Sequence, residues 1–259
     1  MTAADWRIKM QEYCIVNDGI RYHAKLEKPE NTEKCPLLII FHGFTGHMEE
    51  RHILAVRDTA LSAGYAALRV EMYGHGQSDG EFRDHTLYKW VTGALAVIDY
   101  ALKLDFVTDL LIAGHSQGGL LTMLVGGMRQ ERIKAIIPLS PAWMIPEQAR
   151  EGEVLGVSFD PLCIPEEIQG ESWTLKGDYI RTARTIHPEE EIDRFNGPVL
   201  IVQGDADDAV PLEYAYKAAE RYKNATLLII PGDTHCYDRH LEQMTEAVRN
   251  FLIQIKESS

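Results

Sequence analysis

The residues best placed to do chemistry lie in the stretch LLIAGHSQGGLLTML, 110–124, where Ser116 stands between Gly114 and Gly118 at the junction of two apolar segments. The order strand, G-x-S-x-G, helix predicts a sharp turn that forces strained backbone angles on the serine and lifts its hydroxyl clear of a sheet edge. A side chain at either glycine would obstruct strand and helix. The turn also offers the N–H of Gln117 at a helix N-terminus, where free donors and the helix dipole stabilise an oxyanion. A serine hydroxyl becomes a nucleophile only beside a base, and the base needs a carboxylate to fix its tautomer. Downstream, GDADDAVP supplies Asp205, Asp207 and Asp208 just past the apolar run PVLIVQ, and DTHCYD supplies His235 just past ATLLIIPG. Both loops follow strand ends and open on the same edge as Ser116. His42, His75 and His115 also lie near strand ends, while His240 falls inside the closing helix.

The elements that must hold these groups follow from the apolar pattern. WRIKMQEYCIV and IRYHAKLEKP flank Asp18-Gly19, a hairpin signal. Short apolar strands then alternate with amphipathic helices: PLLIIF and RHILAVRDTALSA, YAALRVEM and LYKWVTGALAVIDYALKL, DLLIAGH and GGLLTMLVGGM, then IKAIIPLS. Strands apolar on both faces, separated by helices, predict a mostly parallel sheet covered on both sides. The rhythm breaks over residues 141–195, a stretch of short segments, prolines and scattered aromatics, and resumes with PVLIVQGD, LEYAYKAAERY, ATLLIIPG and HLEQMTEAVRNFLIQIK. Neither half has enough strands to stand alone. The expected organisation is therefore one α/β core, residues 1–140 and 196–259, interrupted by a cap at 141–195.

Composition narrows the function classes. Hydrophobic residues make up 45% and charged residues 25%, as in ordinary globular domains. A net charge of −13, from 26 basic and 39 acidic residues without a basic run, excludes nucleic acid as an expected partner. No run of 18 apolar residues and no N-terminal signal pattern is present, so the expectation is a cytoplasmic chain without a membrane partner. Cys14, Cys35, Cys163 and Cys236 are scattered, which favours reduced thiols. The histidines of HMEERH and HCYDRH are five apart and share no helical face, and H-E-x-x-H is absent, so no metal is expected. MYGHGQSDG fits neither dinucleotide nor phosphate-loop spacing, since Asp79 stands where the last glycine of G-x-G-x-x-G belongs.

Taken together, HGFTGHMEERHI, MYGHGQSDGEFRDHTLYKW, AGHSQGGL, IPLSPAWMIPE and IPGDTHCYDRHLEQMTEAV resemble the bacterial feruloyl (cinnamoyl) esterases of the α/β-hydrolase superfamily, over nearly the whole chain. The resemblance implies the chain order serine, acid, histidine, which selects His235 and excludes the histidines before Ser116. GDADDAVP resembles the superfamily's G-x-x-D-x-x-V-P acid loop, which assigns the carboxylate to Asp207 and leaves Asp205 and Asp208 to close the turn. HGFTGH resembles its His-Gly oxyanion loop, with the backbone N–H of Phe44 joining that of Gln117 and His42 anchoring the loop. MYGHGQSDG resembles the G-x-G-x-S loop that shapes the floor beneath the oxyanion hole. The activity implied is hydrolysis of ferulic, caffeic and p-coumaric esters, with no cofactor and as a homodimer.

The same resemblance places an aromatic acyl pocket in the cap. There Tyr179 matches a polar tyrosine that would meet the acyl group's phenolic hydroxyl. Trp173, Trp143 and Phe159 either line the cleft or form the cap's own core; around EEIQGESWTLKG the local length differs from the family's. Rival readings are a carboxylesterase or monoacylglycerol lipase on aliphatic esters, a C–C bond hydrolase or haloperoxidase, and a non-catalytic binding protein on the same fold. The last conflicts with a chain that keeps serine, acid and histidine in order.

Overall fold

A computed structural model of the chain describes residues 8–30 and 32–258. β1 (Ile8–Asn17) and β2 (Ile20–Pro29) form the antiparallel hairpin turned by Asp18-Gly19; Trp6 and Arg7, expected to begin its first strand, lie outside the described residues. There follow β3 (Cys35–Phe41), α1 (Arg51–Ser62), β4 (Ala66–Val70), α2 (Leu87–Ala101), β5 (Val107–His115), α3 (Gln117–Met128) and β6 (Ala135–Leu139). Between β6 and the next sheet strand the chain forms α4 (Ile145–Glu151), the ribbons β7 (Glu153–Val154) with β8 (Val157–Ser158) and β9 (Glu167–Gln169) with β10 (Thr174–Lys176), then α5 (Asp178–Ala183) and α6 (Pro188–Arg194). β11 (Val199–Gly204), α7 (Leu212–Arg221), β12 (Ala225–Ile230) and α8 (Leu241–Glu257) complete it.

The main sheet has eight strands in the order β1-β2-β4-β3-β5-β6-β11-β12, parallel from β4 onward. Strand alternation divides its core in two. On β3, Leu37, Ile39 and Phe41 join Trp90 of α2 and Leu120 of α3, while Leu38 and Ile40 join Val56 of α1 and Met244 and Leu252 of α8 on the opposite face. All seven β3 residues are buried, which is why the run carried no alternation in sequence. This is the α/β-hydrolase fold, with an antiparallel hairpin at one edge and small inserted ribbons. No helix among the described residues is long and apolar enough to cross a membrane.

Candidate active site

Ser116 sits where β5 ends and α3 begins, at φ 57° and ψ −118°. That region is strongly disfavoured for a residue with a Cβ. Close approach explains the flanking glycines: a Cβ at Gly114 would stand 2.1 Å from the Gly118 carbonyl oxygen, and one at Gly118 would stand 2.4 Å from that of His42. The elbow is fastened by Ser116 N–H to the Leu139 carbonyl, 2.9 Å, and by the Ala142 N–H to the Ser116 carbonyl, 3.0 Å.

The acid loop and the histidine loop meet beside it. His235 Nδ1 lies 2.8 Å from Asp207 Oδ2, and Gln203 Nε2 donates to the same oxygen at 2.6 Å. Asp207 Oδ1 accepts the N–H groups of Ala209 and Val210, both at 2.9 Å. Burial pushes this carboxyl up, but the hydrogen bond and charge of His235 and the two backbone donors outweigh it and hold Asp207 below the ordinary carboxylate value. An acceptor-only carboxylate keeps the proton on Nδ1, so Nε2 of His235 is left with the lone pair a base requires. His235 is in turn held by residues around the elbow: its carbonyl accepts from His115 Nε2 at 2.8 Å and from Ser140 Oγ at 3.3 Å, and the His115 and His235 rings lie 4.6 Å apart. His115 is thus the tie between the serine's own strand and the histidine loop.

The other two acids divide differently from expectation. The turn is closed by Asp207's own second oxygen. Asp205 instead accepts the Gly232 N–H at 2.6 Å, binding the acid loop to the histidine loop, and Asp208 is exposed at a cleft.

Two backbone donors near Ser116 are left without an acceptor. Among the described residues no acceptor takes the N–H of Phe44 or of Gln117, although Gln117 is fully buried. A free, buried donor is costly unless something in the working protein uses it. A Cβ placed on Gly43 would stand 3.2 Å from Ser116 Cβ, so the Phe44 loop reaches the serine. His42 anchors that loop: its Nδ1 donates to the Gly43 carbonyl at 2.8 Å, and its Nε2 accepts the Met72 N–H at 3.0 Å. Burial drives His42 down to about 3, so it stays neutral.

A cleft of about 720 Å³ adjoins both loops, lined by Phe44 and Thr45, by Asp208 and Ala209, and on the inserted segment by Gln148, Glu153, Leu155 and Trp173 among others. Trp173 stands edge-on to Phe44, ring centres 5.2 Å apart. Tyr179 and Trp143 do not line it. Tyr179 is fully buried and its hydroxyl donates to Gln117 Oε1 at 2.6 Å, so the group expected to meet a substrate phenol is committed within the protein. Trp143 is 7% exposed, donates through Nε1 to the Tyr214 carbonyl at 2.9 Å and packs against the Tyr214 ring, so it ties the inserted segment to α7 and belongs to the main core. Phe159 packs against the core as well.

Sequence reasoning missed Gln203, His115 and the Ser140–Tyr237 pair. Gln203 carried a signal, as a lone amide ending the apolar run PVLIV. Ser140 and Tyr237 carried none: both have positive φ, and Ser140 Oγ donates to Tyr237 Oη at 2.9 Å, a pairing visible only in three dimensions.

Known proteins are similar to this chain over most of its length. Residues 32–174 match the family described as Serine aminopeptidase, S33, and residues 172–257 the family described as TAP-like protein. The structure of Est1E from Butyrivibrio proteoclasticus with ferulic acid bound is 57% identical, with 95% of this chain and 99% of that one covered and a TM-score of 0.93. Human protein ABHD12B is 27% identical over 73% of this chain and 51% of its own length. The human mitochondrial palmitoyl-protein thioesterase ABHD10 is 27% identical over 76% of this chain and 65% of its own. The chain thus spans about half to two thirds of the length of these two curated relatives.

Proposed function

This chain belongs to the serine aminopeptidase S33 family of α/β-hydrolases and is a relative of the bacterial feruloyl esterases, and we propose that it hydrolyses hydroxycinnamate esters, those of ferulic, caffeic and p-coumaric acids, through an acyl-enzyme on Ser116. The observation that carries the reading is 57% identity over 95% of the chain to Est1E, solved with ferulic acid bound, joined to a cleft that Phe44 of the proposed oxyanion loop and Trp173 help to line.

In the proposed mechanism His235 Nε2 takes the Ser116 proton as Oγ attacks the ester carbonyl. Asp207, which accepts from Nδ1, stabilises the imidazolium that forms. The carbonyl oxygen becomes an oxyanion and is met by the free N–H groups of Phe44 and Gln117. His235 then protonates the departing alcohol, and water repeats the sequence on the acyl-enzyme to release the free acid. We assign residues 141–195 the role of a cap over the core of 1–140 and 196–259, with Trp173 and Phe44 as walls for the aromatic acyl group. Tyr179 acts behind those walls, holding the Gln117 side chain. With the Tyr179 hydroxyl given to Gln117, we assign the phenolic hydroxyl to polar groups that line the cleft, Gln148 and Glu153 among them.

A homodimer is part of the same proposal, as is a cytoplasmic setting, which four free cysteines favour. The test is the release of ferulate from methyl ferulate by the wild type and by Ser116→Ala. Loss of turnover with an unchanged fold supports the mechanism, and turnover retained by the variant overturns it.

A further inference from the structure

The loop at 71–80, whose GHGQS pattern serves no step above, carries a histidine against the oxyanion loop. His75 lies between Gly74 (φ 79°) and Gly76 (φ 53°), and its N–H bonds the Met72 carbonyl at 3.0 Å. A left-handed residue on either side folds the loop back on itself and turns the imidazole inward, where it is 6% exposed. A side chain is excluded at Gly74, where a Cβ would meet the Glu81 carbonyl oxygen at 2.8 Å. The ring is packed among His42, Phe82, His85 and Trp90, with centres 5.0 to 5.3 Å away.

Both ring nitrogens face carbonyl oxygens. Nε2 is 2.5 Å from the Phe44 carbonyl and Nδ1 is 3.0 Å from that of Tyr73. Burial pulls the ring's pKa down, although both carbonyl contacts pull it up, so the neutral ring has one proton to give. The shorter contact assigns that proton to Nε2 and to Phe44.

The consequence follows from peptide planarity. The Phe44 N–H shares a plane with the Gly43 carbonyl, which His42 holds at 2.8 Å. The Phe44 carbonyl belongs to the next plane, which His75 holds. With both planes gripped, φ and ψ of Phe44 are fixed together. We propose that His75 is a positioning residue for the oxyanion hole, fixing through the Phe44 carbonyl the direction in which the Phe44 N–H points. This rests on Phe44 being an oxyanion donor. It gives the GHGQS loop a task beyond shaping the floor.

The test compares His75→Leu, which removes the donor, His75→Gln, whose amide reaches towards the Phe44 carbonyl, and His75→Asn, whose shorter amide reaches only Tyr73. Loss or misalignment of one oxyanion donor lowers kcat by roughly 10- to 100-fold at this indirect level, less than the direct loss of a donor. The Leu and Asn variants should lose kcat by that factor on methyl ferulate, with KM within about threefold of wild type, since the neutral ground-state carbonyl carries little of the charge that these donors meet in the transition state. Affinity for an aryl boronic acid, which becomes tetrahedral on Ser116, should fall in step with kcat, and Gln should restore both to within about fivefold. A kcat within about threefold of wild type in Asn, boronate affinity that does not move with kcat, or Asn outperforming Gln overturns the proposal. Should Leu fail to fold, the Gln and Asn pair decides. Failure of the esterase reading itself shows separately, as wild type without ferulate release or as an active Ser116→Ala.

Discussion

Replacing Asp207 by asparagine tests the acid from its own contacts. All four groups on this carboxylate are donors: His235 Nδ1 and Gln203 Nε2 on Oδ2, the Ala209 and Val210 N–H groups on Oδ1. Asparagine has one acceptor oxygen and one NH₂, so in either rotamer a donor is turned towards donors. With the NH₂ at the Oδ2 position, His235 must accept at Nδ1 and carry its proton on Nε2, and that tautomer cannot take the proton from Ser116. The expected loss in kcat is about 10⁴, the size seen when a triad carboxylate becomes its amide. The side chain is only 1% exposed, so the unmatched donors should also cost about 1–3 kcal/mol of stability.

The sign of the pH effect follows from the lowered pKa of Asp207. Its contribution to stability is present above the unfolded carboxylate value, about 4, and is lost as pH falls through the lower folded value. The amide of Asp207→Asn has nothing to titrate, so the stability gap between wild type and variant should narrow in acid. Steady-state kinetics on methyl ferulate and urea unfolding at several pH values provide the assay. Asp208→Asn, at an exposed position, serves as control and should keep kcat within about twofold. If Asp207→Asn keeps kcat within about tenfold, or the control loses more than the variant, the assignment of the acid is refuted.

Further outcomes are expected elsewhere. Ser116→Gly should abolish turnover while raising stability by about 1–2 kcal/mol, because glycine accepts φ 57° without strain; chemical denaturation that shows no gain would contradict the strained elbow. Gly118→Ala must displace either the His42 carbonyl or α3, and a large drop in melting temperature or soluble yield should accompany lost activity; near-normal behaviour in both would mean the elbow yields more easily than its contacts allow. Trp173→Ala should raise KM for methyl ferulate by roughly 10-fold and leave ethyl butyrate nearly unaffected, and equal effects on both would remove Trp173 from the acyl wall. Cys236, pushed up to about 11 chiefly by burial, should react with iodoacetamide at about pH 7.5 much more slowly than the exposed Cys163, which peptide mapping can read; faster labelling at Cys236 would contradict its half-buried environment.

What the sequence disclosed and what it concealed divide along the range of the interactions. The hairpin at Asp18-Gly19, the alternation of buried strands with helices and the glycines around Ser116 are written locally, in residues that are neighbours in the chain. The choice among Asp205, Asp207 and Asp208 rests on the resemblance of GDADDAVP to an acid loop and not on composition, because three acids in four positions differ only in which oxygen meets His235. Tyr179 and Trp143 show the limit more sharply. A tyrosine in a cap reads as a partner for a polar ligand, yet its hydroxyl goes to Gln117, far away in sequence, and Trp143 goes to Tyr214. His75 read as part of a loop motif, and its grip on Phe44 depends on two loops that follow different strands and meet only at the sheet edge.

Selection for the aromatic acyl group is tested most directly by kcat/KM for methyl ferulate, methyl p-coumarate and methyl cinnamate against ethyl butyrate and a monoacylglycerol. The expected result is a preference of about tenfold or more for the hydroxycinnamates, equal to about 1.4 kcal/mol of transition-state binding placed on the aromatic acyl group. Equal or faster turnover of the aliphatic esters would contradict it, leaving Ser116, Asp207 and His235 to a general carboxylesterase whose cleft does not select for the aromatic ring.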